Sequence, residues 1–158
     1  MTKSKKISFK SLILLTLEVI LSKYTPMALA QNTRSVRFPK PLAGCTEIRE
    51  VSTGDKILRK TIKYGDQNTN FTIPITQPFG SYIVRLIPEN SGNYSVSVNL
   101  QYSNSNIATV FAKSQYYTRY KLFDQRFHSP VIMQPAQINL NIKGSNNDVY
   151  NLSVLACQ

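Results

Sequence analysis

The sequence predicts an all-β protein, a single β-sandwich or jelly-roll-like domain of short antiparallel strands, and three observations carry that prediction. Apolar and polar residues alternate over Tyr94–Tyr102. Tyr94, Val96, Val98, Leu100 and Tyr102 fall on one face of a strand, and Ser95, Ser97, Asn99 and Gln101 fall on the other. Segments of roughly six residues with this character recur every eight to twelve or so, separated by clusters of turn formers, a spacing typical of sandwiches and jelly rolls. No convincing amphipathic helix follows the first thirty residues.

Those thirty residues read as a leader. Lys3, Lys5, Lys6 and Lys10 form a basic stretch, Leu12–Leu21 a short apolar one, and Ala28-Leu29-Ala30 places small residues at a cleavage site. The apolar run is too short to span a bilayer, which takes about 20 residues. The expectation is a signal peptide over residues 1–30, cleaved after Ala30, and one sandwich domain over residues 31–158. It implies a secreted or periplasmic protein with no integral membrane segment after cleavage. The formal charge is +11 for the whole chain and +7 for residues 31–158. That balance favours anionic surroundings such as acidic polysaccharide, wall polymer or lipid head groups. The two cysteines, Cys45 and Cys157, favour a disulfide in an exported chain. With only His128 beside them they offer no recognised metal-ligand spacing, so neither a metal nor any other cofactor is expected.

In chain order, Ser35–Phe38 is a short alternating piece ended by Pro39 and Pro41. Glu47–Val51 is ambiguous between strand and helical turn, and Ser52–Asp55 is a turn. Lys56–Tyr64 is a strand with Leu58, Ile62 and Tyr64 on one face. Lys60 on that apolar side marks an edge position, where an inward lysine deters unwanted pairing. Gly65–Thr69 reads as a turn. Phe71, Ile73 and Ile75 alternate in a strand that Pro74 demotes to an edge. Ser81–Ala112 then reads as a meander of three antiparallel strands, buried on one side and wet on the other. Gln115–Phe127 mixes aromatic and charged residues, and Tyr120 and Leu122 can still bury as a strand, which puts Tyr117 on its outer side by parity. Val131–Met133, Ile138–Ile142 and Tyr150–Ala156 complete the pattern.

From Ser81 to Cys157 the arrangement resembles the bacterial pre-peptidase C-terminal type of β-sandwich. The pieces that carry the resemblance are Tyr82–Leu86, Tyr94–Tyr102, the loop Asn104-Ser105-Asn106, Ile138–Ile142 and the closing Tyr150–Val154. It implies a non-catalytic domain associated with binding, targeting or secretion. Asn104 and Asn106 stand where that family carries an acidic pair, so the calcium expected there does not carry over.

Catalytic constellations are mostly missing. His128 lies in the turn Phe127-His128-Ser129-Pro130; a triad could be assembled from it with Asp124 and one of the many serines, but no GxSxG, SxxK or HExxH supports one. Glu47 and Glu50 are the only acidic residues close in sequence, and they are expected to meet Arg49 and neighbouring lysines at the surface. No phosphate loop or calcium loop is present. The expectation is therefore not an enzyme.

Two surfaces could bind. In the first, Tyr116, Tyr117, Arg119, Lys121 and Arg126 interleave aromatic and cationic groups that can stack on sugar rings and engage anions. Export argues against nucleic acid, so the expected partner is an anionic glycan or an envelope protein. The second is the wet face of Ser95, Ser97, Asn99 and Gln101, expected near Asn139 and Asn141, whose amides can bond sugar hydroxyls. Solvated faces need no ligand, and tyrosines in a strand are often core. Asn70, Asn93 and Asn151 begin glycosylation tripeptides that matter only in a eukaryotic secretory pathway. The reading that follows is an exported, non-enzymatic binding module. Its alternatives are a surface subunit assembling through an edge such as Phe71–Thr76, and an exported hydrolase.

Overall fold

The computed structural model describes residues 36–158; the expected leader and its cleavage site lie outside the described residues. These form ten strands and no helix: β1 (Cys45–Glu47), β2 (Arg49–Glu50), β3 (Ile57–Thr61), β4 (Asp66–Thr72), β5 (Ser81–Pro88), β6 (Gly92–Gln101), β7 (Ile107–Tyr117), β8 (Phe123–Phe127), β9 (Gln137–Lys143) and β10 (Val149–Cys157). One antiparallel sheet runs β1-β10-β5-β8, with β3 also paired to β10; the other runs β2-β4-β9-β6-β7. The fold is a β-sandwich.

Alternation explains which side of each strand faces inward. Tyr82, Val84 and Leu86 of β5 and Tyr150, Leu152, Val154 and Ala156 of β10 face Phe71, Tyr94, Val96, Val98, Leu100, Ile138, Leu140 and Ile142 of the opposite sheet in one core. Each aliphatic or aromatic side chain buried in this way stabilises by roughly 1.5–3 kcal/mol. Gly144 packs closely against this core: a Cβ there would lie 2.8 Å from Cδ1 of buried Ile62 and 3.2 Å from Cδ1 of Tyr94, so these side chains would have to shift.

Strand partners depart from the sequence expectation. β5 and β6 do not form a meander: Glu89–Ser91 carries the chain from one sheet to the other, and β6 pairs with β7 and β9. A period of two fixes which side is buried but not which neighbour a strand takes. Gly65–Thr69 is not wholly a turn, since β4 starts at Asp66 and pairs with β9 along its length. The expected edge strand Phe71–Thr76 is corrected too. Phe71 and Thr72 lie between β2 and β9, while Ile75 stands exposed in the following loop. β3 is an outer strand, as Lys60 suggested, but Tyr64 leaves its face through a left-handed turn (φ 56°) and is exposed.

The outer face of the β10-β5 sheet is closed. Arg85 projects from it and donates to the Pro39 carbonyl at 2.8 Å, Glu47 Oε1 at 2.6 Å and Ser153 Oγ at 2.7 Å. Its guanidinium also lies over the Phe38 ring, 4.8 Å from the centroid. Beside it Ile83, Leu155 and Cys157 form a second buried cluster. Cys45 and Cys157 face each other across β1 and β10 and are joined, with S–S 2.04 Å and Cα–Cα 4.0 Å. Glu47 therefore pairs with Arg85 rather than with surface cations. Glu50 instead accepts from the Ser52 and Thr53 amides and the Thr53 hydroxyl. Burial by itself would raise the Glu50 pKa, but these bonds and the nearby Lys60 charge hold it below its usual value.

Candidate functional site

The outer face of the β4-β9-β6-β7 sheet stays open, and its polar side chains are ordered by cross-strand register. Asn70, Asn139 and Asn99 are consecutive partners across β4, β9 and β6, and Thr109 continues the row on β7. Their side chains form a directed chain. The Thr109 hydroxyl donates to Asn99 Oδ1 at 2.7 Å, the Asn99 amide to Asn139 Oδ1 at 3.1 Å, and the Asn139 amide to Asn70 Oδ1 at 2.8 Å. In the next row Asn141 donates to Asn68 Oδ1 at 3.0 Å and pairs with Ser97. Beyond that, Lys143 sits opposite Ser95, which shares a hydrogen bond with Ser114. Lys113 and Lys143 line a shallow depression there together with Ser95, Ser97, Ser114 and Asn141. Tyr116, opposite Asn93 on β7, is 64% exposed at the same end of the face.

A primary amide has two donor hydrogens and two acceptor lone pairs. Asn99 and Asn139 each spend one hydrogen and one acceptor position on the row, which leaves each amide a second N–H and a second lone pair. Members of a row repeat across the sheet at the inter-strand spacing of about 4.8 Å. The result is a fixed array of donors and acceptors whose ordering cost is met by folding, flanked by Lys143 and the exposed Tyr116 ring; Lys113, the partner of inward-facing Val96, leaves β7 on the other side.

The five residues expected to bind do not form one patch. Tyr117 is only 4% exposed, in edge-to-face contact with Tyr94 (5.7 Å) and Phe123 (5.1 Å). Its assignment to the outer side is corrected, and it cannot touch a ligand. The cause is a turn at Thr118–Leu122 with Tyr120 left-handed (φ 59°), which splits the segment into β7 and β8 and breaks parity between Tyr117 and Tyr120. Burial pushes the Tyr117 hydroxyl pKa up and takes that of Tyr94 to about 12. Arg119 stacks on its neighbour Tyr120, 4.4 Å from the ring centroid, and donates to its hydroxyl. Lys121 shares a second shallow depression with Tyr116. Arg126 points from β8 on the other sheet and donates to Ser81 Oγ at 2.8 Å.

Of the expected wet-face residues, Ser97 meets Asn141 and Asn99 meets Asn139, whereas Ser95 lies opposite Lys143 and Gln101 opposite Gln137. Asn68, Asn70, Lys143 and Thr109 were not anticipated there. The alternation of Asn68 and Asn70 with Thr69 and Phe71 was the signal that could have found two of them. His128 is exposed in the loop after β8. Among the described residues no three His, Cys, Asp or Glu side chains are grouped to hold a metal ion, and no helix is long and apolar enough to cross a membrane.

No protein-family model matches this chain, and no curated protein matches it. Solved structures do. The CBM22-1-GH10 modules of the Clostridium thermocellum N-terminal endo-1,4-beta-D-xylanase 10B, complexed with xylohexaose, match at 12% identity and a TM-score of 0.41 over 72% of this chain and 24% of that one. The bacteriophage CBA120 tailspike protein 4 enzymatically active domain matches at 10% identity and a TM-score of 0.41, over 73% of this chain and 20% of that one. The CBM32 of AlyQ, in complex with 4,5-unsaturated mannuronic acid, matches at 12% identity and a TM-score of 0.40, over 76% of this chain and 98% of that one. The chain thus spans about a quarter or less of the length of the first two. None of the three is a pre-peptidase C-terminal domain.

Proposed function

We infer that this protein is a non-catalytic glycan-binding module of the cell envelope or its surroundings, and that it binds through the outer face of the β4-β9-β6-β7 sheet. The observation that carries this reading is the directed row Thr109–Asn99–Asn139–Asn70. A merely solvated face leaves each amide to water. Here lateral bonding holds the amides in one orientation, which lowers the cost of ordering them around a ligand. Sugar hydroxyls both donate and accept, and so match an array of amide and hydroxyl groups. The exposed Tyr116 ring offers a stacking face, and Lys143 suits carboxylate-bearing sugars. The Cys45–Cys157 bond supports an oxidising compartment.

The test is retention on a panel of immobilised neutral and acidic polysaccharides. Asn99→Ala with Asn139→Ala should lower affinity at least tenfold, about 1.4 kcal/mol, while unfolding shifts by less than about 1 kcal/mol. Lys143→Ser should weaken acidic polymers more than neutral ones and flatten the salt dependence. Full retention by the double variant with a normal melt would overturn the site.

A further inference from the structure

Towards the turns at 62–65 and 144–148 the open face ends in a charged row. Lys63 bridges to Asp66 across the turn into β4, Asp66 is the partner of Lys143, Lys143 of Ser95, and Ser95 of Ser114. Antiparallel partners point to the same side of a sheet, so two lysines stand on the open face with Asp66 between them. Among the described residues the ion pairs are Arg59–Glu89 and Arg85–Glu47, and neither lysine is paired with Asp66. Two exposed tyrosines lie just beyond this row: Tyr116, two residues after Ser114, and Tyr64, two residues before Asp66. The strands they flank, β7 and β4, are three inter-strand spacings apart, about 14 Å.

Tyr64 is placed there at a cost. Tyr64 and Gly65 both have positive φ (56° and 85°), and the Asp66 amide donates to the Lys63 carbonyl at 3.3 Å, the pattern of a type I′ turn. The first central position of such a turn favours Asn, Asp or Gly, and a tyrosine there is strained. Packing does not offset the strain, because Tyr64 is 96% exposed. Tyr120, also left-handed (φ 59°), differs in that its ring lies under the Arg119 guanidinium. The turn is held firmly from behind. The Gly65 amide donates to Asn146 Oδ1 at 2.8 Å, the Gly144 amide to the Gly65 carbonyl at 3.2 Å, and the Asn147 amide to the Ile62 carbonyl at 3.0 Å. A strained residue held in place with its ring in solvent points to a use outside the chain.

We propose that Tyr64 is a ligand-stacking residue and that, with Lys63, Lys143 and Tyr116, it makes this end of the open face a subsite for an extended, carboxylate-bearing polysaccharide. The inference rests on the glycan reading above and adds the class of glycan and the direction in which it lies. The polysaccharide crosses the strands from Tyr116 to Tyr64, a span that takes several sugar units. Sugar rings stack on the two tyrosines, Lys63 and Lys143 bind carboxylates, and Asp66 accepts from sugar hydroxyls.

The test uses polygalacturonate, alginate and hyaluronan, each native and after reduction of its carboxyl groups to alcohols. The wild type should bind at least one native polymer about tenfold more tightly than its reduced form, the scale of one hydrogen bond to a charged group. Tyr64→Asn puts a favoured residue into the turn, so it should raise the urea midpoint while weakening binding to that polymer about tenfold, within the range for one lost stacking contact. Tyr64→Phe, which keeps the ring, should bind like the wild type. Lys63→Ser should weaken binding to the native polymer and not to the reduced one. Unchanged affinity in Tyr64→Asn would overturn the proposal by removing the ring from the site, and a lowered midpoint would overturn it by giving the ring a structural role. Equal binding of native and reduced polymers, lost in Asn99→Ala with Asn139→Ala, would also overturn it and leave the glycan site standing. A wild type that binds no polysaccharide, neutral or acidic, would remove both.

Discussion

On the outer face of the β10-β5 sheet, Ser153 has no exposed surface and Arg85 is 3% exposed, whereas Asn99, Asn139 and Asn141 on the opposite outer face are only partly covered. Both sheets turn apolar residues inward at every second position, but the closed outer face mixes Arg85 and Ser153 with apolar Ile83, Leu155 and Cys157, whereas the open one is mostly polar. They differ in how their polar groups are satisfied. Arg85 reaches partners in three separate segments (Pro39, Glu47 and Ser153) and so clamps the chain ahead of β1 onto the sheet. The asparagines bond only sideways, to one another and to Thr109, within their own sheet. A closed face adds stability, and an open, pre-ordered one leaves bonding capacity for something else. The difference separates the part of the molecule that holds it together from the part proposed to bind a ligand.

The largest effect should come from breaking the closed face. Arg85→Ala leaves Glu47 and Ser153 without their partner and should cost about 3–5 kcal/mol in urea unfolding, the range for a broken buried pair. A double change, Arg85→Met with Glu47→Leu, should recover most of that loss. If it does not, the clamp works through the Pro39 carbonyl and Phe38 ring rather than through the ion pair. Next is the staple on the same face. Cys45→Ala with Cys157→Ala opens a link between residues 112 apart in sequence and should cost about 2–4 kcal/mol. Glycan retention, measured below the melting temperature, should be unchanged, because neither residue touches the open face.

The period of two made the inward faces of β5, β6, β9 and β10 legible, and two cysteines after an expected leader made the disulfide legible. Pairing was not. Arg85 and Glu47 lie 38 residues apart, and nothing local in either stretch announces a partner. Asn68 and Asn70 were hidden because Gly65-Asp66-Gln67-Asn68-Thr69 is rich in turn formers, which are also the residues of a wet strand face. Tyr117 was misplaced because aromatic residues run on both sides of the turn, and no glycine marks the left-handed position that Tyr120 occupies. The amide row was half visible: its β6 and β9 members were expected to be neighbours, but its direction and its ends on β4 and β7 depend on register.

The smallest effect sharpens the comparison within the closed face, between its centre and its rim. Glu89 accepts from Arg59 at 2.8 and 2.9 Å and from Asn151 at 2.8 Å. The Arg59 hydrogen bond, with Asn151 and the nearby charges of Arg59 and Arg119, holds the Glu89 carboxyl below its ordinary value of 4.5 against the opposing effect of burial. A carboxyl depressed in the folded state adds stability that is fully present above its unfolded pKa and is lost as pH falls through the folded value. The Arg59 side chain is 62% exposed, however, so solvent and salt screen the pair and its contribution should stay below about 1 kcal/mol. Glu89→Gln should therefore destabilise slightly at pH 7, by less as sodium chloride is raised, and not at all once pH has dropped below the folded pKa. Urea unfolding of both proteins at pH 7 and in acid measures the difference directly. A gap that persists undiminished in acid would mean that Glu89 acts through shape rather than charge, and that the rim is built on the same terms as the enclosed centre around Arg85.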